Sequence, residues 1–288
     1  MPESGLVVQA LINGAGVALV YILVALGLTL IFSIMGIINF AHGEFYMLGG
    51  FAAYYLFDVL GVNYLVTLLV AVVLVGAIGL GVERLLFAPL REQPLSAFIV
   101  SLGLLWLMQS GAAALFGVVD KGVRSPLPGV WKGAGLVISR ERLVVMVISA
   151  ALIAILYVLV QWTKYGLALR AVAQDRGAAS LQGIDVDRMG ALAFAVGCSL
   201  AGAAGVLLAP VFYVSPSMGT LPVVKAFIIV ILGGMGSLAG AVLGGAVLGL
   251  IESLGPIVLS AATVELLGFA VIVVVLLVRP TGLLGHEA

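Results

Sequence analysis

The chain has 288 residues, of which 63% are hydrophobic and only 9% charged, with 13 basic side chains balancing 13 acidic ones. A water-soluble domain carries roughly 25% charged residues, so a fully solvated surface is excluded, and zero net charge leaves no basic field for nucleic acid. The lone cysteine, Cys198, lies in an apolar run, which excludes an internal disulfide or a thiolate cluster and reads as a small packing residue.

In chain order, the N-terminus lacks the basic residues and cleavage site of a secretory signal, so the first apolar segment reads as a retained span. No formal charge occurs between Glu3 and Glu44, too long a stretch for one crossing. Residues 6–32 suit one span, and 33–42 form a separate piece rich in Gly, Asn and Ile. Broken backbone at membrane depth survives only where protein or a water-filled cavity solvates it, so 33–43 is a candidate cavity-lining segment. Further apolar runs cover 45–57, 64–82, 97–116, 143–162 and 189–212. Residues 223–254 exceed one helix and are interrupted at Gly233–Ser237, giving two crossings, or one crossing and a re-entrant hairpin. The last run is 257–278. At roughly 20 residues per crossing, the expected fold is an all-α polytopic transmembrane bundle of about eight or nine segments with broken or re-entrant pieces.

One polar island, residues 164–188, interrupts this pattern. Leu167, Ala171 and Gln174 keep helical spacing, as if the fifth span continued past the surface. Asp175 is a good N-cap, because its carboxylate can accept from first-turn N–H groups. A short helix over 176–182 then ends at Gly183, which suits the left-handed C′ position, and Asp185 or Asp187 caps the next span. So short a helix is unstable alone and must pack on something. It either rests on its own bundle or inserts into a groove on a soluble partner, oriented by Arg170, Asp175 and Arg176. Lys164, Arg170, Arg176 and Arg188 favour a cytoplasmic island by the positive-inside rule, although counting charges alone slightly favours the loop before the fifth span. The preceding loop carries Lys121, Arg124, Lys132, Arg140 and Arg142 and flanks the same span, so the two loops lie on opposite sides. Its Ser125–Gly129 stretch resembles a rigid external turn.

Asn39, His42 and Glu44 lie at the first break. Ionisable groups inside a membrane are functional candidates because stranding them in lipid is costly. They either line a substrate pathway or satisfy the broken helix. His42 and Glu44 are too few to hold zinc, no nucleophile–base pair is apparent, and no cofactor is implied. Gly236, Gly240 and Gly244 lie four residues apart and mark close helix packing, within the chain or with a second subunit. The Gly233-Gly234-Met235-Gly236-Ser237 stretch lacks the lysine a phosphate-binding loop needs.

Several stretches resemble one known family. They are Gly36–Glu44 followed by Met47-Leu48-Gly49; Gly166, Arg170, Ala171, Asp175 and Gly183-Ile184, then Ala201-Gly202 and Ala204-Gly205; Gly233–Ser237 with Gly240-Ala241 and Gly244-Gly245; and Arg279–Gly285. Over the whole chain they resemble the shorter permease subunit of bacterial ATP-binding-cassette importers for branched-chain amino acids. The resemblance implies a single permease domain over residues 1–288 in the plasma (inner) membrane, in contact with membrane lipid. It implies a second permease subunit, two cytoplasmic ATP-binding subunits and a periplasmic or extracellular substrate-binding protein. It makes residues 163–189 the cytoplasmic loop that receives motion from the ATPase, and gives the chain no enzymatic activity of its own. Leucine, isoleucine and valine are the default cargo, with urea and short amides as alternatives. An ion-coupled secondary transporter is the reading from another class, and it would need ionisable pairs at the midplane.

Overall fold

The computed structural model describes residues 3–133, 136–279 and 281–285. Eleven helices occur among them: α1 (Glu3–Met35), α2 (His42–Ala52), α3 (Tyr64–Val82), α4 (Pro94–Phe116), α5 (Arg140–Trp162), α6 (Lys164–Gln174), α7 (Arg176–Leu181), α8 (Val186–Leu208), α9 (Thr220–Gly233), α10 (Leu238–Leu254) and α11 (Ala261–Val278). The only sheet among the described residues is a small antiparallel hairpin, β1 (Val130–Gly133) and β2 (Leu136–Ser139), with Trp131 opposite Ile138. The hairpin lies just after the stretch expected to be a rigid turn.

The fold is all-α apart from that hairpin, and the expected eight or nine segments are slightly more than the full crossings found. Seven helices among the described residues are long and apolar enough to span a membrane. The remainder of the expected eight or nine are two shorter rods, each preceded by non-helical chain. One is α2, which runs on through π-helical turns to Val59 after the break at 36–41. The other is α9, which follows the irregular segment 209–219.

Helices α1 and α8 form the middle of the bundle. The most apolar stretches of both are 78% buried, against 11% for α11 and 17% for α4. Small residues let α8 take that place. A Cβ on Gly197 would strike the carbonyl oxygen of Gly27 in α1, one on Gly49 that of Gly202, and one on Gly205 that of Tyr46 in α2. Backbones that approach this closely gain dispersion contact where lipid offers no hydrophobic drive between helices.

Side-chain and backbone links define two opposite faces. On the hairpin face, Gln9 donates to the Val137 carbonyl at 2.8 Å and accepts from the Val137 N–H, while Lys121 and Val214 exchange backbone bonds. On the island face, Ser33 bonds the Gly236 carbonyl at 2.9 Å. There too, the C-terminal segment donates from Leu283 and Leu284 to the carbonyls of Leu232 and Gly233, both at 2.9 Å. The two basic loops therefore lie on opposite faces, as their shared span requires.

Candidate functional site

The island folds as two short helices, not as an extension of α5. Thr163 adopts an extended conformation between α5 and α6, and its hydroxyl accepts from the Gly166 N–H at 3.0 Å. Gly166 is pressed against the carbonyls of Leu159 and Val160, where a Cβ has no room. Arg170 braces the corner by donating to the Gln161 side chain at 2.7 Å and its backbone carbonyl at 3.2 Å. The second bond satisfies a carbonyl that a helix C-terminus leaves free.

Asp175 caps α7 by accepting from the Ala178 N–H at 2.9 Å. Gly183 follows with φ of +79°, a conformation that costs an L-residue its Cβ clearance. Asp185, of the two candidates, caps α8 by accepting from the Arg188 N–H at 3.0 Å. Ala179 is buried beneath α7, whereas Leu181 is 89% exposed. Arg176 reaches back to donate to the carbonyl of Ile34, in the last turn of α1. A cation there also complements the negative end of the helix dipole. Arg170 and Arg176 thus bind their own chain, and the free face of α7 is left to Leu181 and the small residues beside it.

At membrane depth, the polar trio converges on the first break. His42 is fully buried, and its Nε2 donates to the Val24 carbonyl at 3.2 Å. Val24 lies eleven residues above the end of α1, so the segment 36–41 has climbed about 16 Å into the bundle before α2 begins. Asn39 accepts from the Ala41 N–H at 3.0 Å, and Ser101 of α4 accepts from the Phe40 N–H at 3.3 Å. Glu44 is 1% exposed. Asn39 Nδ2, His42 Nδ1 and Glu44 Oε2 find no partner among the described residues. Gly43 abuts Gly219, each in the space a Cβ on the other would need. The starts of α2 and α9 therefore meet deep in the bundle. One helix runs from there to the hairpin face and the other to the island face. This junction is the seam.

The late glycines close the α9–α10 turn. Gly233 lies against Gly240, Gly244 approaches the Ile229 carbonyl, and Gly234, at φ +105°, lies against Thr281 and Gly285 of the C-terminal segment. Gly236 also has positive φ and presents the carbonyl that Ser33 binds. In the same hairpin of helices, Lys225 and Glu252 form an ion pair, so neither charge is stranded in the apolar interior.

The family described as "Branched-chain amino acid transport system / permease component" matches residues 10–276. The high-affinity branched-chain amino acid transport system permease protein LivH of Escherichia coli K12 is 35% identical, over 96% of this chain and 95% of its own length. BraD, the corresponding permease protein of Pseudomonas aeruginosa, is 33% identical over 99% and 98% of the two chains. Among solved structures, PsaBC from Streptococcus pneumoniae in complex with Fab shares the fold, with a TM-score of 0.51 at 16% identity, over 95% of this chain and 91% of that one. The chain belongs to the branched-chain amino acid permease family.

It is the multi-pass permease component of an ATP-binding-cassette transport system, and its relatives are transport permeases, not enzymes. Sequence reasoning missed one feature of this permease. Glu83, fully buried at the island-face end of α3, pairs with Arg91, which also pairs with Asp187 in the first turn of α8. This clamp ties the exit of the island to α3. Nothing local to Arg91 announces a partner 96 residues on, at Asp187.

Proposed function

We propose that this permease forms the translocation pathway for branched-chain amino acids across a bacterial inner membrane, driven by ATP hydrolysed on separate cytoplasmic subunits. The second permease, the paired ATPases and an external binding protein complete the importer in this reading. The island face is the cytoplasmic one, and residues 163–189 are the coupling loop. The observation that carries the reading is the Arg176–Ile34 bond. A helix whose exposed tip presents Leu181 is fastened directly to the end of α1, and α1 leads without a linker into the break at 36–41 and the seam.

On this reading an ATPase groove takes the Leu181 side of α7, held in shape by the Asp175 cap and the Gly183 turn. Displacement of α7 pulls the α1 terminus through Arg176. Asn39, His42 and Glu44 keep the first break intact as it moves, and border the path that opens at the seam. Two substitutions test the coupling role in vesicles carrying the assembled importer. Asp175→Lys removes the cap, and Gly183→Pro forbids the positive φ. Both are expected to leave the permease inserted, with ATP hydrolysis retained and leucine uptake lost. Unchanged uptake in both variants would show that this loop does not transmit the motion.

A further inference from the structure

On the hairpin side of the seam lies a cavity of about 210 Å³, walled by Tyr21, Tyr46, Phe212, Met218 and Leu221, with Asp120 among its lining residues. Pockets for drug-sized ligands begin at roughly 300 Å³, so this one suits a much smaller guest. Three features equip it for a zwitterion with an aliphatic side chain.

The first is a set of free donors. Tyr21 and Tyr46 are 6% and 2% exposed, and neither hydroxyl has a hydrogen-bond partner among the described residues. Buried tyrosine hydroxyls ordinarily have one. Helix α9, 14 residues long, starts at the cavity with no side-chain cap, and the Leu221 N–H has no acceptor among the described residues. Its first turn therefore offers a free N–H and the positive end of the helix dipole. The second is Asp120, an exposed carboxylate with no ion pair among the described residues. The third is the wall, where Met218, Leu221 and Phe212 give apolar contact, and the flexible thioether adapts to differently branched side chains.

We propose that this cavity holds one branched-chain amino acid inside the subunit, before it crosses the seam. The carboxylate lies toward the α9 N-terminus and the tyrosine hydroxyls, and the ammonium lies toward Asp120. The assignment rests on the function proposed above and adds the place of the substrate. The Gly43–Gly219 contact lies next to Met218 and closes the way onward. On the other side of that contact, an apolar groove lined by Ile37, Phe40, Val224 and Phe227 leads toward the island face. A substrate leaving the cavity inward has to part the two glycines.

The test uses Met218→Cys in the assembled importer. The native Cys198 is fully buried and contributes little background to thiol labelling. Membrane accumulation of the variant and its co-purification with the other importer subunits establish that it folds and assembles. A membrane-impermeant methanethiosulfonate added from the hairpin side is expected to modify Cys at this position. Leucine at about ten times its dissociation constant is expected to slow that modification about tenfold, with glutamate at equal concentration giving no protection. Tyr46→Phe and Asp120→Asn are each expected to weaken the protection several-fold. If the variant assembles but leucine gives no protection, or the thiol is not modified, the cavity is not the substrate's place and the functional proposal stands. If the unmutated importer takes up no branched-chain amino acid, the functional proposal falls, and this assignment with it.

Discussion

The two broken crossings meet at the seam but are built differently. The break before α2 is held by side chains from three places: His42 bonds α1, Ser101 of α4 bonds Phe40, and Asn39 bonds the turn itself. The break before α9 has one backbone bridge, Lys121 with Val214, and short turn bonds such as Met218 to Ser215 at 3.1 Å. Its Phe212 and Tyr213 are 48% and 70% exposed, and it borders a cavity. Broken backbone in a membrane needs polar company, and here that company is concentrated on one side. The α2 break is pinned to α1 and α4, whereas the α9 break has fewer ties to the rest of the bundle.

The contact between the two breaks carries the largest expected effect. Gly219→Val puts a branched side chain where the Gly43 backbone lies. Overpacking of this kind against rigid backbone costs about 3 kcal/mol. The variant is expected to accumulate poorly in membranes and to take up no leucine, measured by immunoblot and vesicle uptake. Normal accumulation with normal uptake would mean that the seam is looser than the described contact.

The asymmetry itself is sharpened by a pair of substitutions. His42→Leu removes the bond to the Val24 carbonyl, which keeps its own helix bond, at a cost of about 1.5 kcal/mol. Ser215→Ala, in the opposite break, removes a hydroxyl with no hydrogen bond among the described residues and is expected to stay within about 0.5 kcal/mol. Thermal unfolding of the detergent-solubilised importer checks both. Equal losses would remove the distinction between a pinned break and a loosely tied one.

What was legible beforehand follows the range of the signal. Asp175, Gly183 and Asp185 were legible because a cap acts within three residues and a positive φ within one. The break near Asn39 and His42 was legible because a polar, glycine-rich stretch interrupts an uncharged run. The break before α9 was hidden, since 209–219 begins inside an apolar stretch that hydropathy assigns to α8. The corner at Thr163 was read as continuous helix because the obstruction at Gly166 comes from close approach to the carbonyls of Leu159 and Val160, not from its own propensity. The inward turn of Arg176 and the Glu83–Arg91–Asp187 clamp join residues far apart in sequence. No window along the chain contains both partners.

Arg176 links the pinned break to α7, and its substitution gives the most selective effect. Arg176→Met keeps much of the stem's volume and removes the donor to the Ile34 carbonyl. A hydrogen bond from a charged donor is worth about 1.5 kcal/mol, so overall stability changes little. Coupling is where the loss appears. Leucine transported per ATP hydrolysed is expected to fall about tenfold, while hydrolysis itself persists and the Asp175 cap and Leu181 surface stay in place. Arg176→Lys, which keeps one charged donor, is expected to recover part of the ratio. If α7 instead acted on the bundle through Ala179 and the α6 corner alone, the Met variant would transport with an unchanged ratio. The pinned break would then move for a reason other than the pull on α1.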